Sequence, residues 1–310
     1  MAPAGSVFVF PGQGSQRPGM LTLAPENDTL DRLLDAAEGI SGLPIRELGE
    51  DESLDPEALL DTRVSQPLLY LVDWAWAVAL MDTGIEPVAL AGHSLGEFVA
   101  LAVSGAISVE AGLELVIQRS KLMAKAAEVH PGSMTAVLGL SQSEVREFTD
   151  RVDGVWVAND NSTKQTVLSG RLEALAEVSE LLAAETSARL IPLKVSGGFH
   201  SPLMEPAAER FAESLRQAEF RSAVIPVLSN AEPTPTQDPE ILRQRLISQM
   251  TAPVRWTETM AAISELAPVV AIESGPGSVL RGLARGVPGV SMISVESVGL
   301  EHIVEEVMSR

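Results

Sequence analysis

The stretch VALAGHSLGEFVALAV, residues 88–103, decides the fold. An apolar run, Val88–Ala91, precedes the pattern G-x-S-x-G, and an apolar helix follows it. This order predicts a nucleophile elbow, which exposes Ser94 on a tight turn between a strand and a helix and has no room for side chains at its glycines. Ser94 would lie at the helix N-terminus, where the Leu95 N–H faces developing negative charge. An ordinary strand-to-helix turn is the alternative.

Strands alternate with helices on both sides of this elbow. The run SVFVF at 6–10 is typical of a buried strand, and a long apolar helix is expected over Val64–Met81. Three later strands are predicted, at Ile225–Leu228, Val269–Ile272 and Val290–Ile293. Buried strands without alternation, joined by helices, favour a mostly parallel sheet covered on both faces. The predicted fold class is therefore α/β.

The middle of the chain has a different pattern of predicted elements, with the order βαββαβ that is typical of ferredoxin-like domains. Its predicted elements are strands Met134–Leu140, Val155–Ala158, Thr166–Leu168 and Ala188–Val195, and helices Gln142–Asp150 and Arg171–Glu185. We therefore predict a small domain over 131–196, inserted into a large domain formed by 1–130 and 197–310.

Composition excludes several classes of protein. Of 310 residues, 45% are hydrophobic and 21% charged, as in a soluble globular protein. Apolar stretches end before about 18 residues and no signal-peptide pattern is present, so we expect a cytoplasmic protein without a membrane span. The absence of cysteine excludes a thiolate nucleophile and a disulfide framework. A formal charge of −20, with no Lys/Arg run, argues against a nucleic-acid partner.

A serine nucleophile needs a general base, and the chain contains four histidines. His93 lies inside the elbow and should point away from the Ser94 hydroxyl. His130 and His302 lie in polar segments. By elimination His200, in a glycine-rich loop after a predicted strand, is the predicted base; the alternative is a loop histidine without a catalytic role. No single carboxylate can be assigned as the group that orients it.

The loop FPGQGSQ, residues 10–16, superficially resembles a nucleotide-binding loop. Arg17 stands where a dinucleotide fingerprint has its third glycine, and the G-K-[ST] ending of a P-loop is missing. No nucleotide phosphate is therefore expected here. Gln13, flanked by glycines after a buried strand, could instead present its backbone N–H to an oxyanion.

The predicted helix Val109–Ala127, capped by Ser108, carries an arginine among apolar residues. The neighbours of Arg119 one turn away are Leu115, Val116, Leu122 and Met123. Arg119 is therefore predicted on the buried side, where a guanidinium is costly unless an anion answers it. That anion is either a protein carboxylate or a substrate carboxylate held by two parallel N–H bonds, and the residues alone leave both possibilities open.

Several motifs together resemble one family. The strongest are FPGQGSQ (10–16), GHSLGE (92–97), QRSKLM (118–123) and FHSPLM (199–204), with weaker support from VANDNS (157–162), QMTAPVRW (249–256) and ESGPG (273–277). From about residue 6 to 295 the chain resembles the malonyl-CoA:acyl-carrier-protein transacylases, including the acyltransferase domains of polyketide synthases. The resemblance implies a hydrolase-like α/β large domain with a ferredoxin-like insert, in agreement with the element order.

The resemblance also implies roles for individual residues. Ser94 would be the nucleophile, His200 the general base and acid, and Arg119 the clamp on the malonyl carboxylate. The backbone N–H groups of Gln13 and Leu95 would form the oxyanion hole.

Three further residues follow from the same resemblance. The main-chain carbonyl of Gln249 would orient the histidine in place of an aspartate. Phe199 and Met123 would contact the acyl group, and the bulk of Phe199 leaves little room for the α-methyl branch of methylmalonyl. One methylene is worth only ~1–3 kcal/mol in a pocket, so this discrimination would be modest. Ser120 and Gly198 depart from the usual glycine and alanine of the family, and both are expected to border the acyl pocket.

The expected activity is transfer of a malonyl or related acyl group from CoA to the phosphopantetheine thiol of an acyl carrier protein, without a metal or bound cofactor. The expected partners are the CoA thioester and the carrier protein. Three alternatives remain: transfer of a non-malonyl acyl group in a polyketide pathway, a serine esterase or thioesterase, and a non-catalytic docking module. A buried Arg119 is not needed by an esterase, and a docking module would not need Ser94, His200 and Gln13 together.

Overall fold

The computed structural model describes residues 5–309, which form two five-stranded sheets surrounded by helices. The strands are β1 (Ser6–Phe10), β2 (Pro87–Gly92), β3 (Gly132–Leu138), β4 (Val155–Ser162), β5 (Gln165–Arg171), β6 (Arg189–Pro192), β7 (Val227–Leu228), β8 (Val254–Arg255), β9 (Ala271–Glu273) and β10 (Met292–Ser294). The helices are α1 (Asp28–Ser41), α2 (Ile45–Glu50), α3 (Thr62–Asp82), α4 (Gly96–Val103), α5 (Val109–Val129), α6 (Gln142–Thr149), α7 (Leu172–Glu185), α8 (Glu205–Gln217), α9 (Pro239–Gln249), α10 (Trp256–Glu265), α11 (Val279–Leu283), α12 (Val295–Val298) and α13 (Leu300–Met308). Two short 3₁₀ helices span Pro56–Leu60 and Pro202–Met204.

The first sheet has the order β10-β9-β1-β2-β7, and its neighbouring strands are parallel. All five residues of β1 are buried. Phe8 and Phe10 pack into one hydrophobic cluster, whereas Val7 and Val9 pack into another. Alternate residues of a strand point to opposite faces, so both faces of this sheet are covered. The predicted parallel α/β sheet is confirmed, although β7 is two residues shorter than its predicted strand.

Three helices, α3, α4 and α5, pack together next to the elbow of the first sheet. Helix α3 is the one helix among residues 5–309 that is long and apolar enough to cross a membrane, but 78% of its apolar window is buried inside the protein. Helix α5 begins as predicted, with the Ser108 side chain accepting a hydrogen bond from Ala111 N. Both helices pack against each other and against α4, so they surround the segment that follows Ser94.

The second sheet has the order β6-β3-β5-β4-β8. Its first three pairings are antiparallel, and the predicted βαββαβ order is confirmed by β3, α6, β4, β5, α7 and β6. Strand β4 continues four residues past its predicted end at Ala158, because the polar residues up to Ser162 pair with β5 and carry no hydrophobic signal.

The last strand of the second sheet comes from far along the chain. Strand β8 pairs in parallel with Asn159 and Asp160 of β4, and it lies outside the segment 131–196. The Thr257 hydroxyl reinforces this junction by donating to the Asp160 carboxylate at 2.9 Å. The two sheets are therefore joined along β4, while the domain limits stay a prediction.

Candidate active site

The elbow lies between the end of β2 at Gly92 and the start of α4 at Gly96. Ser94 at its centre has a positive φ of 52°, a conformation that side chains rarely adopt. A Cβ atom on Gly92 would come within 1.9 Å of Gly96 carbon, and one on Gly96 within 2.2 Å of Phe10 oxygen. The prediction that glycine is required at both positions is confirmed, and the reason is close backbone approach.

The hydroxyl of Ser94 lies 2.7 Å from Nε2 of His200. The other ring nitrogen, Nδ1, lies 3.0 Å from the carbonyl oxygen of Gln249 and 3.2 Å from that of Ala252. A carbonyl can only accept, so Nδ1 carries the proton and Nε2 presents its lone pair to Ser94. The main-chain oxygen of Gln249 therefore occupies the position at which the resemblance expects it.

The protonation state of His200 suits a base. Burial first, then the positive charge of Arg119 and the neighbouring His93, lower the pKa of His200 to about 3. The ring is therefore neutral at neutral pH and can accept a proton. His200 itself has a positive φ of 55°, so both members of the pair sit in strained backbone conformations.

Arg119 is buried as predicted, with 1% of its surface exposed, and it contacts the Ser94 hydroxyl. Its Nη1 donates to Gln66 Oε1 at 2.7 Å, and its Nη2 donates to Ser94 Oγ at 3.1 Å and to Gln249 Oε1 at 3.2 Å. The atom Nε has no partner. Burial lowers the pKa of Arg119 to about 10, so it stays charged at neutral pH.

One of the two anions left open for Arg119 is not in contact with it. No carboxylate among residues 5–309 forms an ion pair with this guanidinium; its three partners are neutral groups. A buried cation with neutral neighbours and a free N–H can accept an incoming anion.

Gln13 and Leu95 line the same cavity as Ser94. The Gln13 side chain turns away from Ser94, donating to Leu60 O at 3.4 Å and accepting from the Thr62 hydroxyl at 3.2 Å. Neither residue's backbone N–H donates a hydrogen bond to another residue of the described chain. Both N–H groups are therefore available to an oxyanion, as the oxyanion-hole prediction requires.

The cavity between the two sheets is small, with a volume of about 80 Å³, and it opens to solvent. Phe199 and Met123 line it, and their contact with the acyl group stays a prediction. Ser120 and Gly198 do not line it, so the expectation that they border the pocket is wrong. Ser120 turns its hydroxyl to Ile117 O, and Gly198 faces the side chains of Leu203 and Ser169.

His93 points away from the Ser94 hydroxyl, as expected. Its Nε2 lies 2.9 Å from Asn161 Oδ1, and its ring meets Trp256 edge-on at 5.4 Å. Burial lowers the pKa of His93, so the ring is neutral. Because Asn161 belongs to β4, this contact ties the elbow to the second sheet.

Three polar residues of the site escape the sequence reasoning. Gln66 contacts Arg119, Asn230 accepts from the Ser94 N–H at 2.7 Å, and Glu97 accepts from Gln249 Nε2 at 2.9 Å. One of them carried a usable signal, because Glu97 is the one charged side chain of the otherwise apolar helix α4, whereas Gln66 follows the polar residues that begin α3. Asn230 follows a two-residue strand and offers no pattern.

Comparisons with known proteins identify the family of this chain. The family described as "Acyl transferase domain" matches residues 7–300. A malonyl CoA-acyl carrier protein transacylase from Synechocystis is 40% identical over 281 residues, which are 90% of this chain and 92% of that protein.

Solved structures give the same result. The crystal structure of FabD from Acinetobacter baumannii superposes with a TM-score of 0.91 at 35% identity, covering 99% of both chains. A malonyl-transacylase solved in complex with its type II polyketide acyl-carrier protein has a TM-score of 0.90 at 32% identity, covering 99% of this chain and 100% of that one.

Proposed function

This chain belongs to the acyl transferase domain family, and on that basis we propose that it moves a malonyl group from coenzyme A to the phosphopantetheine thiol of an acyl carrier protein through an acyl-Ser94 intermediate. One observation carries the proposal. The oxygen of Ser94 lies 2.7 Å from His200 Nε2 and 3.1 Å from Nη2 of the buried Arg119. The nucleophile thus has its base on one side and, on the other, a cation suited to a second carboxylate.

In the first half-reaction, Ser94 Oγ attacks the carbonyl carbon of the malonyl thioester. His200 Nε2 takes the hydroxyl proton, and the N–H groups of Gln13 and Leu95 stabilise the oxyanion. The carbon–sulfur bond then breaks, and the proton on Nε2 passes to the departing CoA sulfur. The carbonyl oxygens of Gln249 and Ala252 stabilise the imidazolium while it exists.

The second half-reaction reverses these roles. The phosphopantetheine thiol gives its proton to His200 and attacks the ester carbon of malonyl-Ser94. The carbon–oxygen bond breaks, and Ser94 recovers its proton from Nε2. The two displacements balance without a metal or a bound cofactor, and we propose none.

Arg119 makes an acyl group that carries a free carboxylate the preferred substrate. The guanidinium is fully charged, buried and next to the nucleophile, which is where the free carboxylate of a malonyl group must sit when its thioester carbon meets Ser94 Oγ. An esterase of neutral esters would gain nothing from this cation and would still bear the cost of burying it. Phe199 restricts the same cavity, which favours malonyl over a branched group.

The carrier protein needs a docking surface on a chain whose formal charge is −20. We propose that its contacts lie among four cations: Lys121, Lys125, Arg281 and Arg285. In the described chain, Lys125 pairs with Glu128, whereas Arg281 and Arg285 take part in no ion pair. Lys121 donates to Ile40 O at 2.8 Å and likewise forms no ion pair among the described residues, so these three cations are a better proposal than Lys125. The cytoplasmic location stays a prediction.

The proposal is tested by incubating the protein with malonyl-, methylmalonyl- and acetyl-CoA and following transfer to a phosphopantetheinylated carrier protein by intact mass. Malonyl transfer should dominate, and the acyl-enzyme should be trapped on Ser94 when the carrier is omitted. Hydrolysis of the acyl-enzyme with no transfer to the thiol would instead indicate a thioesterase. No acylation at all from any of the three thioesters would indicate a docking module.

A further inference from the structure

The guanidinium of Arg119 has no counter-charge in contact with it. Its partners Gln66, Ser94 and Gln249 are neutral, although only 1% of its surface is exposed. A buried cation is costly unless a negative charge compensates it. The compensating negative charge must therefore belong to a residue that does not contact the guanidinium directly.

That residue is Glu97, which is connected to Arg119 through the side-chain amide of Gln249. Gln249 accepts from Arg119 Nη2 through Oε1 at 3.2 Å and donates through Nε2 to Glu97 Oε2 at 2.9 Å. A guanidinium can only donate and an ionised carboxylate can only accept, so the orientation of the amide between them is determined. Glu97 is as buried as Arg119, with 1% exposed, and it is anchored by the Asn230 N–H at 3.2 Å.

We propose that Glu97 is the counter-charge of Arg119, relayed by the Gln249 side chain, and that it sets how tightly the guanidinium holds the substrate carboxylate. This rests on the proposed malonyl transfer. A carboxylate in direct contact with Arg119 would occupy the same N–H groups as the substrate. A carboxylate one amide away leaves those groups open, while its charge lowers their affinity for a second anion.

Glu97 is thus a positioning residue and not a catalytic one, because it does not touch Ser94 Oγ, His200 or the substrate position. Gln249 has two separate tasks. Its main-chain oxygen orients His200, whereas its side chain connects Glu97, Arg119 and the carbonyl oxygen of Ser94, the last at 2.7 Å. A substitution of the side chain therefore leaves the contact with His200 in place.

Glu97→Gln tests the charge with little change of shape. The remaining carbonyl oxygen can still accept from Gln249 and Asn230, and the new NH₂ replaces Oε1, which has no partner. We expect the ratio of kcat/KM for malonyl-CoA to that for acetyl-CoA to rise roughly tenfold, because the substrate carboxylate no longer competes with a protein charge. An unchanged or lowered ratio in folded enzyme would overturn the proposal.

Glu273→Gln is the matched control. Glu273 is completely buried and accepts from the N–H groups of Leu280 and Arg281 at 2.9 Å, but it has no contact with Gln249 or Arg119. The same substitution there should leave the malonyl/acetyl ratio unchanged. A rise as large as that of Glu97→Gln would show that any buried carboxylate near the sheet has this effect and would overturn the specific relay.

Gln249→Met breaks the relay at its centre and should move the ratio in the opposite direction. Arg119 loses one of its anchors, so malonyl transfer should fall several-fold more than acetyl transfer. Labelling of Ser94 by a neutral sulfonyl fluoride reports whether the Ser94–His200 pair still functions.

Opposite shifts of the malonyl/acetyl ratio, one from the end of the relay at Glu97 and one from its centre at Gln249, cannot arise from general damage. If Glu97→Gln does not fold, Gln249→Met decides alone, and an unchanged ratio there overturns the proposal. Wild-type enzyme that transfers no malonyl group would instead refute the proposed function itself.

Discussion

Two buried polar clusters lie near the C-terminal ends of the parallel strands. One holds a charged arginine, and the other holds a carboxyl group whose neutral form is favoured. Around Arg119, after β2, five guanidinium and amide hydrogen bonds connect residues from different elements into one network. Around Asp73 of α3, next to Glu273 at the end of β9, both carboxyl oxygens lack a hydrogen-bond partner. The backbone approaches so closely that a Cβ on Gly275 would lie 2.1 Å from Asp73 Oδ1.

The difference shows what keeps a buried group charged. Arg119 keeps its charge because neutral acceptors contact it and a carboxylate lies one amide away. Burial, and then the negative charge of Glu273, raise the pKa of Asp73 well above its ordinary value, so this carboxyl stays neutral. Burial alone therefore removes a charge, and a network of partners preserves it.

Ser94→Ala should have the largest effect on the first cluster. It removes the proposed nucleophile, and we expect covalent acylation by malonyl-CoA to fall by roughly 10⁴-fold or more. The fold should survive, because a hydroxyl at the elbow contributes little packing, and the melting temperature should change little. Intact mass after incubation with malonyl-CoA measures the acyl-enzyme. A mutant that still acquires one malonyl group would refute the assignment of Ser94.

His200→Ala should have the next largest effect, a loss of about 10²- to 10⁴-fold in both half-reactions. The same imidazole activates Ser94 and then the incoming thiol, so acylation and transfer to the carrier should both slow. Rapid-quench measurement of each step separates them. Slow acylation with undiminished transfer from a preformed acyl-enzyme would show that another base serves the second step.

Arg119→Ala distinguishes a substrate clamp from a structural arginine. A charged hydrogen-bonded contact is worth on the order of 2–4 kcal/mol, so the malonyl/acetyl ratio of specificity constants should fall roughly 30- to 1,000-fold. Acetyl-CoA has no second carboxylate and should be affected less. A lowered melting temperature with an unchanged ratio would mean that Arg119 serves the fold alone.

Asp73→Asn should have the smallest effect on catalysis and acts instead on the pH dependence of stability. The pKa of Asp73 is raised in the folded protein from an ordinary value of 3.8. Above pH 3.8 the unfolded chain releases a proton that the folded chain keeps, so stability falls as pH rises, until the pH reaches the folded pKa.

Asparagine cannot titrate, so the variant should lose this dependence. The free energy of unfolding of the variant should gain about 1.4 kcal/mol on the wild type per pH unit within that window. Urea titrations at several pH values measure it, with malonyl transfer as the activity control. Parallel pH profiles for the two proteins would show that Asp73 is already ionised in the fold, and the contrast with Arg119 would disappear.

Local sequence was sufficient for the elements that short windows encode. The elbow could be predicted because only glycine tolerates the close approaches at residues 92 and 96, and Ser94 follows from that turn. Helix α5 and its Ser108 cap follow from apolar periodicity and capping chemistry, which also place Arg119 on the buried side. His200 was reached by elimination and by the resemblance, and the fold brings it to Ser94.

Only the tertiary structure decided which groups surround these residues. Arg119 meets Gln66 and Gln249, which are 53 and 130 positions away, and strand β8 joins β4 across almost a hundred residues. Such contacts depend on how the parallel strands and their connections are ordered, and no short window records that order. The sequence by itself therefore determined the elbow at Ser94, the buried position of Arg119 and the fold class, because sterics and periodicity are local. Whether the cation met a protein carboxylate or an open cavity was decided by long-range packing, which placed Glu97 one amide away.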